Sequence, residues 1–230
     1  MNSIKKTARL AGFLYLMVVP LGIFGLLYVP SRLIVSGDPA TIAKNITASE
    51  SLFRLGIVSN LLASIVMILV VLFLYRLLKP VNKNAALLMV ILVLAAVPIA
   101  MLNELTQFAS LQLLSGADYL MLFTTEQLQA LAFLFLRLYI QGSSIAFIFW
   151  GLWLLPLGYL VFKSGFLPRI LGILLMIACF GYLIDSFAIF LGYHTNIGLF
   201  TGWSEVIFLL WLLIKGVNVE QWEKRALEAA

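Results

Sequence analysis

With 230 residues the chain is long enough for one domain, but 63% hydrophobic residues, 11% charged residues and a mean hydropathy of +1.09 exclude a water-soluble globular fold. The formal net charge of +5 does not point to nucleic acid, because the basic residues punctuate the ends of apolar runs instead of gathering on a polar face. The single cysteine, Cys179, excludes a disulfide framework and a thiolate zinc site, and it reads as a small buried apolar residue.

Six apolar runs approach the ~20 residues that a helix needs to cross the hydrocarbon. In chain order they cover about 9–28, 52–78, 85–107, 140–162, 170–192 and 197–214. The fold class expected is therefore an all-α integral membrane protein, one domain over 1–230, with six spans and short interfacial helices in the outer loops. Lys5, Lys6 and Arg9 before the first span imitate a signal-peptide n-region, but the apolar stretch outruns an h-region and no small-x-small cleavage site follows, so it is read as retained.

Orientation follows from Lys and Arg. Arg76, Lys79 and Lys83 separate spans two and three, Lys163 and Arg169 separate four and five, and Lys215, Lys224 and Arg225 follow six. These segments and both termini are expected in the cytoplasm. The opposite loops carry only Arg32 and Lys44 before span two, none from Glu104 to Glu126, and none around His194.

The first outer loop contains Ser36-Gly37-Asp38-Pro39, which predicts a turn, an Asp N-cap and a proline at the first helical position of a short helix running to about Ile46. Thr47-x-x-Glu50 then reads as a capping box that starts span two. The outer segment 115–139 reads as an interfacial helix leading into span four. Pro20, Pro98 and Pro156 interrupt three spans, where each removes a backbone hydrogen bond. "LLKPVN" and "LIKGVN" match each other, a pairing that a common way of ending helices explains as well as a repeat does.

Polar residues inside the spans carry the functional question. At about 1.5 Å per residue, Asp185 and Glu205 both lie roughly 10 Å from the outer ends of their spans. Span three ends in Asn103, Glu104 and Gln107; span four begins with Arg137, Gln141 and Ser144; span two brings Glu50, Arg54, Asn60 and Ser64. Such groups are expensive in lipid, so they are expected to face inward and meet in one outer layer. Two readings stand: an internal network in which Arg54 and Arg137 pair with Glu104, Asp185 or Glu205, or an outward-facing pocket that accepts a small polar ligand, ion or lipid head group. The candidate ligand-binding residues are Glu205, Asp185, Glu104, Arg54, Arg137, Gln107, Gln141 and His194.

His194 is the only histidine and sits in the outer turn "GYHTNIG". One histidine cannot build a three-histidine zinc site, so no metal is expected, and with no phosphate-binding glycine loop, no pair of CxxC motifs and no histidine set for haem no cofactor is expected. A Ser143, Ser144 or Ser204 nucleophile would lack a nucleophile-elbow sequence. An intramembrane enzyme acting on a lipid-linked substrate, with Glu205 or Asp185 and His194 as acid and base, stays open beside binding or transport, as does a structural or accessory subunit. Membrane lipids are the expected partners, and the short loop helix near Pro39 is a possible cover for the pocket.

"RLAGFLYL", "VPSRLIVSGDPATIAKNITASESLFRLGIVS", "LYRLLKPVNK", "YLVFKSGFLPRILGILL" and "SEVIFLLWLLIKGVN" resemble, in the same order, the recurrent segments of a family of bacterial multi-pass membrane proteins known as a domain of unknown function. The resemblance implies a bacterial plasma-membrane location and a six-span helical domain. It brings no catalytic residues. Its recurrent segments include the positions of Arg32, Asp38, Glu50, Arg54 and Glu205.

Overall fold

The computed structural model describes residues 3–35 and 37–228; Ser36, part of the turn expected before Asp38, lies outside them. Among the described residues the regular structure is helical, with no strand. The α-helices are α1 (Ser3–Gly22), α2 (Val29–Leu33), α3 (Pro39–Ala48), α4 (Glu50–Leu78), α5 (Lys83–Leu113), α6 (Thr125–Leu152), α7 (Leu154–Ser164), α8 (Arg169–Phe190), α9 (Ile197–Thr201), α10 (Trp203–Ile214) and α11 (Val219–Glu228). A π-helical stretch, Ile23–Tyr28, joins α1 to α2.

Among the described residues six stretches are long and apolar enough to cross a membrane: Ser3–Leu33, Glu50–Leu78, Lys83–Leu113, Thr125–Ser164, Arg169–Phe190 and Ile197–Ile214. All six sequence-derived spans lie largely inside them. Helix is the necessary form, because the hydrocarbon offers no water to satisfy backbone N–H and C=O groups. Most helices outrun the apolar runs because the ends need only be amphipathic.

Two local expectations are corrected. Thr47 does not cap span two: α3 runs on to Ala48, the Thr47 hydroxyl donates to the Ala43 carbonyl at 2.8 Å, and Ser49 alone breaks the chain before α4. The capping box lies instead at Thr124-x-x-Gln127, where the Gln127 N–H donates to Thr124 Oγ1 at 3.3 Å and the Thr124 N–H to Gln127 Oε1 at 2.9 Å. Because that box starts α6 at Thr125, 115–139 holds no separate interfacial helix; a 3₁₀ turn, Asp118–Leu120, precedes one helix that continues to Leu152. The break at Trp153 falls three residues before Pro156, which cannot donate to the Leu152 carbonyl. Pro98, by contrast, sits within an unbroken α5.

The chain divides into two compact units, one of Met1–Val18, Ile65–Pro98 and Ser144–Ala230, the other of Val19–Ser64 and Ile99–Ser143. In the second unit Val29, Leu33, Ile42, Ile46, Phe53, Ile57, Leu111 and Leu136 form a buried core. Asp38 caps α3 by accepting from the Thr41 N–H at 2.9 Å, as its sequence position requires, and Ile42 and Ile46 anchor that helix in the core.

In the first unit glycines bring helices into backbone contact. A Cβ on Gly158 of α7 would lie 2.6 Å from the Gly172 carbonyl of α8, and one on Gly172 would lie 2.5 Å from the Gly158 carbonyl. Gly12 of α1 meets Leu213 N of α10 at 2.7 Å in the same sense. With lipid tails as apolar as leucine, close approach of this kind is what drives helices together in a bilayer. The polar segment after Lys215 also forms a helix, α11, started by Asn218 Oδ1 accepting from the Gln221 N–H at 3.1 Å. The Trp222 indole N–H donates to the Leu77 carbonyl at 2.8 Å and fastens it.

Candidate functional site

The second unit holds a polar network built by α4, α5 and α6. Glu104, only 6% exposed, accepts from Gln107 Nε2 at 2.9 Å one turn along α5, and from the Tyr139 hydroxyl of α6 at 3.1 Å. Asn60 of α4 donates to that hydroxyl oxygen at 3.1 Å, leaving its own Oδ1 buried without a partner. Asn103 donates to the Tyr139 carbonyl at 2.8 Å and to Ser143 Oγ at 3.0 Å, tying α5 to α6. Two glycines make room: a Cβ on Gly25 would stand 2.0 Å from Asn60 Oδ1, and one on Gly142 would stand 2.0 Å from Asn103 Oδ1. The π-helical stretch lies at the Asn60 edge, and Ser59 beside it donates to the Leu21 carbonyl at 2.9 Å.

All donors to Glu104 are neutral. Arg54, an exposed residue, pairs with the equally exposed Glu50 at 2.6 Å and lies over the Phe108 ring; Arg137 and Gln141 are exposed on α6. Neither arginine pairs with Glu104. Tyr139 and Ser143, not Arg137 and Gln141, form the inward stripe of α6.

The first unit treats its carboxylates differently. Asp185 accepts from Thr195 Oγ1 at 2.6 Å, the Ile197 N–H at 3.0 Å and the Gly198 N–H at 2.7 Å. Both of its oxygens are thereby used to hold the turn after α8 and to start α9. Glu205 accepts from the Tyr182 hydroxyl at 2.8 Å and from the Tyr15 hydroxyl. Tyr182 stacks on Phe147 and Tyr15 tilts against Trp153, so packing fixes both phenols. His194 is exposed in the turn before α9.

Tyr15, Tyr139 and Tyr182 were not singled out from the sequence. The available signal was position, since tyrosine belongs in the belts at the membrane surface, and a tyrosine well inside an apolar run needs a partner for its hydroxyl.

A family model, DUF4386, described as a domain of unknown function, matches residues 10–216. An uncharacterized protein of Archaeoglobus fulgidus is 34% identical over 170 residues, which cover 72% of this chain and 86% of the relative. No solved structure matches. The relative is archaeal, so the likeness does not assign a bacterial source or say which membrane holds the chain. With 10–216 matched and six helices fit to cross a bilayer, the chain belongs to the DUF4386 family and is a multi-pass membrane protein.

Proposed function

We propose that this protein binds a small cationic solute, an alkali cation or a primary amine, at Glu104, as a receptor or carrier in the cytoplasmic membrane with its basic loops inside. The observation that carries the reading is that Glu104 is buried among neutral donors while the three arginines of its unit, Arg32, Arg54 and Arg137, stay at the surface. A carboxylate in that setting costs several kcal/mol unless a proton or a positive partner neutralises it, and a small cation is the partner that the neighbouring oxygens suit. Glu104 is the ligand, Asn60 Oδ1 supplies a second oxygen, and Gln107 and Tyr139 hold the carboxylate. A π-helical stretch beside the cluster fits, since such stretches recur at functional sites. The acid–base reading has less support, because Asp185 is occupied by its own chain and His194 is exposed.

Thermal unfolding of purified protein in nanodiscs tests this with sodium, potassium and methylammonium chlorides at one ionic strength, against N-methylglucamine chloride. One of the first three salts raises the Tm of the wild type, and Glu104→Gln, which keeps the shape, abolishes the rise. Equal Tm values in all four salts, or an undiminished rise in Glu104→Gln, overturns the assignment.

A further inference from the structure

A second site lies at the basic end of the first unit. Two turns, 165–168 and 215–218, flank an open surface cavity of about 370 Å³ whose wall includes Phe166, Trp211, Lys215, Asn218 and Gln221. Each turn reverses through a left-handed glycine, Gly165 at φ 76° and Gly216 at φ 71°, and the Asn218 N–H donates to the Phe166 carbonyl at 3.2 Å. The walls are thus set by backbone geometry and do not depend on long side chains finding one another.

The charge around the cavity has one sign. Lys215 is exposed at the wall, and the stem of Lys5 packs on Gly216, its Cγ 3.2 Å and its Cε 3.6 Å from where a Cβ would stand, which brings a second lysine beside the same turn. Arg9 Nη2 donates to the Ile214 carbonyl at 3.3 Å, one residue before Lys215. Among the described residues no acidic side chain lines the space; the nearest in sequence, Glu220, is exposed on α11. Beside the cations stand the apolar Phe166, Leu167, Trp211 and Val217, and the amides of Asn218 and Gln221.

We infer that this cavity binds a phosphate carried on an anionic phospholipid head group. Lysines supply point charges for the phosphate oxygens and the amides supply donors. The aromatic and aliphatic wall suits the glycerol and first methylenes, which a free phosphate lacks. Basic pockets at the ends of membrane helices suit lipid head groups in general. This site is independent of Glu104.

Native mass spectrometry of the protein released from nanodiscs tests the inference. Discs of phosphatidylcholine alone are compared with discs that also contain phosphatidylglycerol. Wild type retains phosphatidylglycerol preferentially, and Lys5→Gln with Lys215→Gln reduces that retention several-fold while Tm in phosphatidylcholine is unchanged. Lys5→Arg with Lys215→Arg retains it. Equal retention of both lipids by the wild type, or retention unaffected by the glutamine pair, overturns the proposal. A Tm rise with inorganic phosphate in phosphatidylcholine discs, matching that from phosphatidylglycerol, overturns it as well and assigns the cavity to soluble phosphate.

Discussion

Three acids inside the spans meet three different environments, and the differences decide what each can do. Asp185 has no oxygen to spare, Glu205 faces two phenols, and Glu104 faces a phenol and an amide beside an orphan amide oxygen. Asp38, outside the spans, shows the ordinary surface alternative. Its side-chain hydrogen bond from the Thr41 hydroxyl, then that from the Thr41 N–H, holds its carboxyl below the usual value of 3.8. A depressed value means that the cap's stabilisation is complete above the unfolded-state pKa and is lost as pH falls through the lower, folded one. Amide exchange in α3, corrected for its intrinsic pH dependence, should therefore stay slow down to that ordinary value and accelerate only below it. Asp38→Asn should flatten the dependence; wild type and variant accelerating together would remove the cap from the account.

Helix contacts in the first unit rest on hydrogen-sized side chains. Gly172→Ala puts a methyl group 2.5 Å from the Gly158 carbonyl and 2.6 Å from Phe162 N, backbone atoms that no rotamer change can move. Overpacking of this kind costs about 1 to 3 kcal/mol. A matched Gly22→Ala has nothing within 4 Å of its new methyl and should be neutral or slightly stabilising, since alanine suits helices better than glycine. Tm values of the two variants in the same detergent check this. Equal values would mean that α7 and α8 separate at no cost.

For the whole molecule the charge bias predicts a side. Eleven of the fifteen basic residues gather at one set of helix ends: Lys5, Lys6 and Arg9 in the first two turns of α1, Arg76, Lys79 and Lys83 where α4 passes to α5, Lys163 and Arg169 where α7 passes to α8, and Lys215, Lys224 and Arg225 after α10. In a Cys179→Ser background, a cysteine replacing exposed His194 should react with an impermeant maleimide on intact cells. One replacing exposed Asn218 should react only after permeabilisation. The opposite pattern would invert the orientation and move the lipid site to the outer leaflet.

The sequence by itself determined the helical class, the six spans and the Asp38 cap, because long apolar runs and N-cap chemistry are local properties of the chain. It could not choose the inward face of a span. Amphipathicity normally makes that choice, but here lipid and helix interior are both apolar, so the signal vanishes. Arg137 and Gln141 therefore looked as good as Tyr139 and Ser143, which lie about 200° around α6 from them. Nor could it show that Asp185 would be consumed by the turn at 195–198, or that tyrosines would take the place expected of arginines. Only the packed helices decided those, because a buried carboxylate takes whichever donor the neighbouring backbone brings within 3 Å.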